Sequence, residues 1–184
     1  MTKCLAVFID AANLWEVQKA KAKILDLAKL KKYLKSTHHA TDIKVYYYDA
    51  FPEADTRDYD VSGKHRFYVY LEKALKFIVR KKPLKQIRIG TGRRVAVEEK
   101  GNMDVELAID VVNQINNYNE AVLISGDSDF LALIRFIHSH GKKVFVYSSR
   151  NNVSTELRTG GDGYIDILKI DKDIWRGDLH RRDH

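Results

Sequence analysis

Apolar positions along this chain follow two alternating rhythms. Short, mostly apolar runs at residues 3–9, 43–48, 86–89, 121–124, 143–147 and 164–170 have the length and composition of buried strands. Between them, apolar residues recur at helical spacing. Ile24, Leu27, Leu30 and Leu34 form one stripe, and Phe67, Leu71, Ala74 or Leu75, and Ile78 form a second. Residues 103–115 are apolar on most sides and predict a well-buried helix, and Phe130, Leu133, Ile134 and Ile137 mark another. A short helix is expected near Ser154. Residues 51–64 read as a polar loop, 93–98 as an added hairpin, and 175–184 as a frayed basic tail.

Strands alternating with helices predict an α/β fold, with a mainly parallel sheet covered on both faces. The expected organisation is one domain over residues 1–172 followed by a basic tail, 173–184. No apolar run approaches the roughly 20 residues that span a bilayer, and Asp10 interrupts the first apolar run, which excludes a signal-peptide layout. The single cysteine, Cys4, has no internal disulfide partner and reads as a small buried hydrophobe. The expected location is the cytoplasm.

The net charge of +7 is unevenly distributed. Nine basic and no acidic residues lie between Glu72 and Glu98, whereas Glu98 to Asp129 carries eight acids against Lys100 alone. A basic face beside an acidic pocket suits a protein that holds a polyanion over bound metal, although charge runs also serve simply as solvated faces. Lys73, Lys76 and Arg80 are expected on one face of the second helix, as such a solvated face. Gly90-Thr-Gly92 resembles a dinucleotide-binding glycine loop only superficially. It lacks the third glycine and follows the wrong strand.

The chemistry concentrates at Ala121-Val-Leu-Ile-Ser-Gly-Asp-Ser-Asp-Phe130, where a strand stops and a helix starts. Ligands bind at that edge of open α/β sheets. Asp127 and Asp129 suit a hard cation such as Mg²⁺ or Mn²⁺, and a helix cap accounts for one of them equally well. Asp10 ends the first strand and Asp104 opens a helix, so the fold would bring all four to one edge. Capping or turn formation explains each singly, but four crowded carboxylates would not all stay ionised without a cation. Asn13 either orients a water or phosphate oxygen or closes the Asp10 turn. Asp110 points away from Asp104 and reads as structural, and Asp49 is a weaker candidate at the rim. Of Tyr46, Tyr47 and Tyr48, alternation leaves at most one or two to stack on a base.

Phe8-Ile-Asp-Ala-Ala-Asn13, Lys100-Gly-Asn-Met-Asp-Val-Glu-Leu-Ala-Ile-Asp110 and Ser125-Gly-Asp-Ser-Asp-Phe130 together resemble the NYN domain, in its LabA-like branch, within the PIN-like nuclease superfamily. Tyr47-Tyr-Asp-Ala50 and Gly141-Lys-Lys-Val144 look like further family segments, so the resemblance covers roughly residues 4–168. It implies a PIN-like (Rossmann-like) three-layer α/β/α domain with strand order 3-2-1-4-5. It also implies Asp10, Asp104, Asp127 and Asp129 as metal-binding catalytic carboxylates, with Asn13 and Ser125 in support. The family commonly adds an acid on an earlier helix, where this chain offers only Glu72. The function expected from this resemblance is hydrolysis of single-stranded RNA with Mg²⁺ or Mn²⁺. Arg93, Arg94 and Lys100 would hold flanking phosphates, and a homodimer is one arrangement left open. The alternatives are an RNA-binding or regulatory module with little catalysis, and a phosphohydrolase acting on small molecules.

Overall fold

A computed structural model describes residues 3–52, 62–89, 96–170 and 172–179. The first strand, β1 (Cys4–Asp10), lies at the middle of a six-stranded parallel sheet. On one side of it run β3 (Asp42–Phe51) and β4 (Ile78–Pro83), and on the other β7 (Glu120–Ile124), β8 (Lys143–Ser148) and β9 (Gly163–Asp166). The sheet differs in detail from the expected 3-2-1-4-5 order: β4, not the expected segment 86–89, takes the third place, and a further parallel strand lies beyond the last member.

Alternation along β1 divides the core. Leu5, Val7 and Ile9 face one layer, made by α1 (Ala11–Lys21), α2 (Leu27–Thr37), α3 (Ser62–Lys73) and the side chains of Ile167, Ile170, Ile174 and Trp175. Ala6 and Phe8 face the opposite layer of α4 (Asp104–Asn113), α5 (Leu131–Ser139) and α6 (Thr155–Gly160). These are the three layers expected of the fold. In α2, Leu27, Leu30 and Leu34 are buried, each contributing on the order of 2 kcal/mol by leaving water.

Several elements depart from their sequence patterns. Ile24 belongs not to a helix but to a three-residue strand, β2 (Lys23–Leu25), while α1 forms from a segment with little apolar periodicity. Ala22 ends α1 in the left-handed region, at φ 56°. The stripe through Ile78 also breaks. α3 ends at Lys73, Lys76 takes a positive φ, and Ile78 opens β4, so Lys73, Lys76 and Arg80 do not share a helix face. Residues 86–89 join β5 (Lys85–Ile89), which pairs antiparallel with β6 (Ala96–Lys100) outside the main sheet. The short helix expected near Ser154 is α6, capped by the Ser154 side chain.

The strand expected over 164–170 gives way at Asp166 to a 3-10 turn. Of the segment expected to fray, residues 175–178 are instead tied down: β10 (Trp175–Asp178) pairs with β2, and Trp175 is buried, while residues 180–184 lie outside the described residues. Helix α4 is less enclosed than its composition suggests, because Val105, Ile109 and Val112 face outward. No helix among the described residues is long and apolar enough to cross a membrane.

At the amino-terminal edge of the sheet a buried polar cluster locks α2 to the strands. His38 Nδ1 contacts the Glu120 carboxylate, and its Nε2 stands 2.9 Å from the Tyr147 hydroxyl. Lys3 Nζ reaches the other Glu120 oxygen at 2.9 Å and donates to the His38 carbonyl at 2.7 Å. Removing one partner of such a pair strands the others in a dry setting. Glu120→Ala is therefore expected to cost about 3 kcal/mol in urea unfolding, and Glu120→Gln distinctly less. A loss below about 0.5 kcal/mol in the alanine variant would show the cluster to be incidental.

Candidate metal and nucleic-acid site

The order of the strands reverses between β1 and β7, which opens a crevice at their carboxyl ends. Ile9 pairs with Ile124, so Asp10 and Ser125 emerge side by side. Ser125 is fully buried; its hydroxyl donates to Asp10 Oδ2 at 3.0 Å and accepts from the Asp127 amide at 3.3 Å. Gly126 permits the turn because another segment crosses it closely. A Cβ there would stand 2.3 Å from the Asn152 carbonyl oxygen and 2.9 Å from Ser148 Oγ. On the far side of β1, Asp10 pairs with Tyr48, which brings Asp49 to the same edge.

A cleft of about 880 Å³ occupies this edge, lined by Asp10, Asp49, Asp104 and Asp127 among others. Asp129 is not part of the lining. It is exposed on the 3-10 turn Ser128–Phe130, close enough to act electrostatically on Asp104. Lys64 is the one cationic side chain among the described lining residues, and Asp49 holds it at 3.2 Å. Arg93 and Arg94 lie outside the described residues, as does the side chain of Lys100.

Capping separates the four aspartates into two pairs. Asp10 caps α1 through Oδ1, which accepts from the Ala12 and Asn13 amides at 3.0 and 3.3 Å. Asp127 caps the turn after it, accepting from the Asp129 amide at 3.0 Å. Asp104 caps nothing: Met103 holds that position in α4, with no side-chain hydrogen bond to the helix. Among the described residues, Asp104 accepts only from the Asn102 side-chain amide, at 2.5 Å. Asn13 lines the cleft and accepts from Ser148 Oγ at 3.2 Å.

Electrostatics follow from this crowding. Burial raises the Asp104 pKa, and the charges of Asp10, Asp127 and Asp129 raise it further, to about 6. Asp10 is also pushed up, chiefly by burial, against the hydrogen bonds from Asn13, Ser125 and Ala12. Burial raises Asp49, with the Lys64 charge and the Tyr68 hydroxyl opposing it.

Other polar groups take structural places. Asp110 is buried, accepting from the Tyr48 hydroxyl at 3.1 Å and from Arg80 Nε at 2.9 Å, which ties β4 to α4. Lys82 pairs with Glu106 at 2.7 Å. Tyr46, Tyr47 and Tyr48 are all buried, so none of them offers an open stacking face. Two lining residues carried no signal in the sequence. Trp15 sits on a helix without clear periodicity, and Lys64 lies at the start of α3 within a stretch that read as loop.

The NYN domain family model matches residues 4–168. The low amplitude and bright protein LabA of Synechococcus elongatus is 29% identical over 167 residues, covering 90% of this chain and 84% of its own. The crystal structure of VPA0982, a Vibrio parahaemolyticus protein of unknown function, aligns with a TM-score of 0.69 at 23% identity. That alignment covers 95% of this chain and 97% of the other, and it shows a shared fold.

Because the folded state raises the Asp104 pKa, it holds that proton more tightly than the unfolded chain does. Metal-free stability should therefore fall as pH rises from about 4 towards 6. Asp104→Asn should flatten this fall and raise the melting temperature at pH 7 by roughly 2–4 °C, or about 1 kcal/mol after allowance for solvent screening. Thermal unfolding in chelator across that range tests it, and a parent-like slope in the variant would contradict the crowding.

Proposed function

Because the chain belongs to the NYN-domain family, we propose that it is a metal-dependent ribonuclease that hydrolyses phosphodiester bonds in single-stranded RNA. The observation that carries this reading is uncompensated negative charge. Carboxylates from β1, α4 and the turn after β7 share a cleft whose one described cationic lining residue already serves Asp49. The donors are all oxygen, which fits Mg²⁺ or Mn²⁺. Asp10 and Asp127 would be the central ligands, with Asp104 and Asp129 beside them. Bound there, such an ion would supply Lewis-acid stabilisation of the phosphate and a water of lowered pKa.

The chain's own groups then have distinct tasks. Ser125 fixes the rotation of the Asp10 carboxyl and leaves its Oδ2 a spare lone pair. Asp127 keeps Oδ2 without a hydrogen bond among the described residues, turned from the amide it caps. Asp104, unburdened by capping, takes a proton at about pH 6 when no cation balances it. Asn13 lines the cleft as a polar side chain able to orient a water or a phosphate oxygen. Arg93, Arg94 and Lys100 are the candidates for phosphates on either side of the scissile bond.

One observation favours the second reading, an RNA-binding or regulatory module with little catalysis. Among the described residues, no three His, Cys, Asp or Glu side chains converge tightly enough to enclose an ion.

The two readings separate in a cleavage assay on single-stranded RNA with Mn²⁺, Mg²⁺ or chelator. On the nuclease reading, chelator abolishes cleavage, and Asp10→Asn and Asp127→Asn each lower it more than about 100-fold, while binding of RNA persists. Binding without metal-dependent cleavage in the parent would overturn it in favour of the module.

A further inference from the structure

The cleft also has an apolar lining that the carboxylates do not account for. Trp15, Ile24, Phe67 and Leu84 line it together with Asp10, Asn13 and Asp104. Trp15 remains 47% exposed and Ile24 44%, although each belongs to an ordered element packed on the core. On α1, Ala11 and Ala12 stand between the indole and the capping carboxylate of Asp10, so no bulky side chain of that helix separates ring from acid. The cleft's volume lies within the range of roughly 300–1,000 Å³ typical of small-molecule sites.

Charge identifies the occupant. A phosphate would find one described lysine on the lining, already paired with Asp49, against the acids Asp10, Glu16, Asp49, Asp104 and Asp127. An acidic peptide would meet the same repulsion. A nucleobase is planar, uncharged near neutral pH and carries polar edges, which matches a cleft lined by both an indole and the Asn13 side chain. Among the described residues, Asn13 uses its Oδ1 for Ser148 and keeps its amide N–H groups available as donors. A paired base inside a duplex would keep both of its faces stacked on its neighbours, whereas an unpaired one offers a face to an aromatic ring.

We propose that Trp15 is the floor of a subsite for one unpaired nucleobase of the substrate strand, with Ile24 and Phe67 as its apolar walls. This rests on the ribonuclease reading, for which it supplies the preference for single strands. Stacking holds the base, and the strand's phosphate is thereby presented at the carboxylates.

Nucleosides test this without a bond to cut or a charge to be repelled. The chain has two tryptophans, and Trp175 is buried, so the Trp15 indole N–H resonance is identified by its absence in Trp15→Phe. Adenosine or uridine should shift that resonance saturably in metal-free protein, ribose should not, and the Trp175 resonance should stay in place. With single-stranded RNA and metal, Trp15→Ala should weaken affinity about tenfold and Trp15→Phe less than about threefold, in keeping with a stacking role. An unmoved Trp15 resonance, an equal response to ribose, or parent-like RNA affinity in Trp15→Ala would each overturn the subsite. The nuclease reading fails by a different result, absence of metal-dependent cleavage in the parent. A nucleoside shift that survives that result would leave the base subsite standing without it.

Discussion

A single buried hydroxyl sets the spacing on which the carboxyl edge of the sheet depends. Ser125 lies between the Asp10 carboxyl and the Asp127 amide, so the backbone at Asp127 cannot draw away from the Asp10 carboxyl without breaking its hydrogen bonds. Gly126 makes the geometry stricter, because the chain near Asn152 lies where any larger residue would need room. Repulsion therefore cannot relax by opening this turn. It is relieved either by a proton, as the raised Asp104 pKa indicates, or by a cation. The rest of the edge, from the capped start of α1 to the free start of α4, is arranged around that choice.

Capping and ligation compete for the same residue types at the same places, which limits what sequence can say here. An aspartate after a strand and before a helix satisfies both descriptions. Only coordinates divide the four: Asp10 and Asp127 cap, whereas Asp104 and Asp129 do not. The two without a structural duty gain most from the site's own chemistry. Asp110 was legible because six residues of helix turn it away from Asp104, and it holds Arg80 of β4 and Tyr48 of β3 in the sheet beneath α4.

The fold was legible wherever burial on both faces produced continuous apolar runs, as in β1, β3, β7 and β8. It failed where a short element borrows its stability from neighbours. Ile24 and Ile78 kept helical spacing with the residues around them, yet each entered a strand. β4 lies at the sheet edge and carries Arg80 and Lys82, whose partners Asp110 and Glu106 sit on α4, so its polar residues obscured a strand pattern. α1 gave no periodic signal because Leu14 and Val17 alone, with Ala11, fix its buried side. Trp15 was invisible for the same reason: without a helix to place it on, an isolated aromatic has no face.

That failure bears on how the basic charge should be read. The run from Lys73 to Arg94 suggested a track for phosphates, but Arg80 and Lys82 are engaged by acids of α4, and Lys81 lies over the Tyr68 ring at 4.9 Å. Arg80 and Lys82 brace the edge strand against the helix that carries Asp104, and Lys81 ties it to α3 on the other face. Their excess over the acids still gives the molecule its positive sign, and a long-range field can draw a polyanion towards it. Among the described residues lining the cleft the sign is reversed. On the proposed reading, a strand attracted by the surface would be held at the cleft itself through oxygen-bound cations for its phosphate and an aromatic face for its base, with Arg93, Arg94 and Lys100 left for the flanking phosphates.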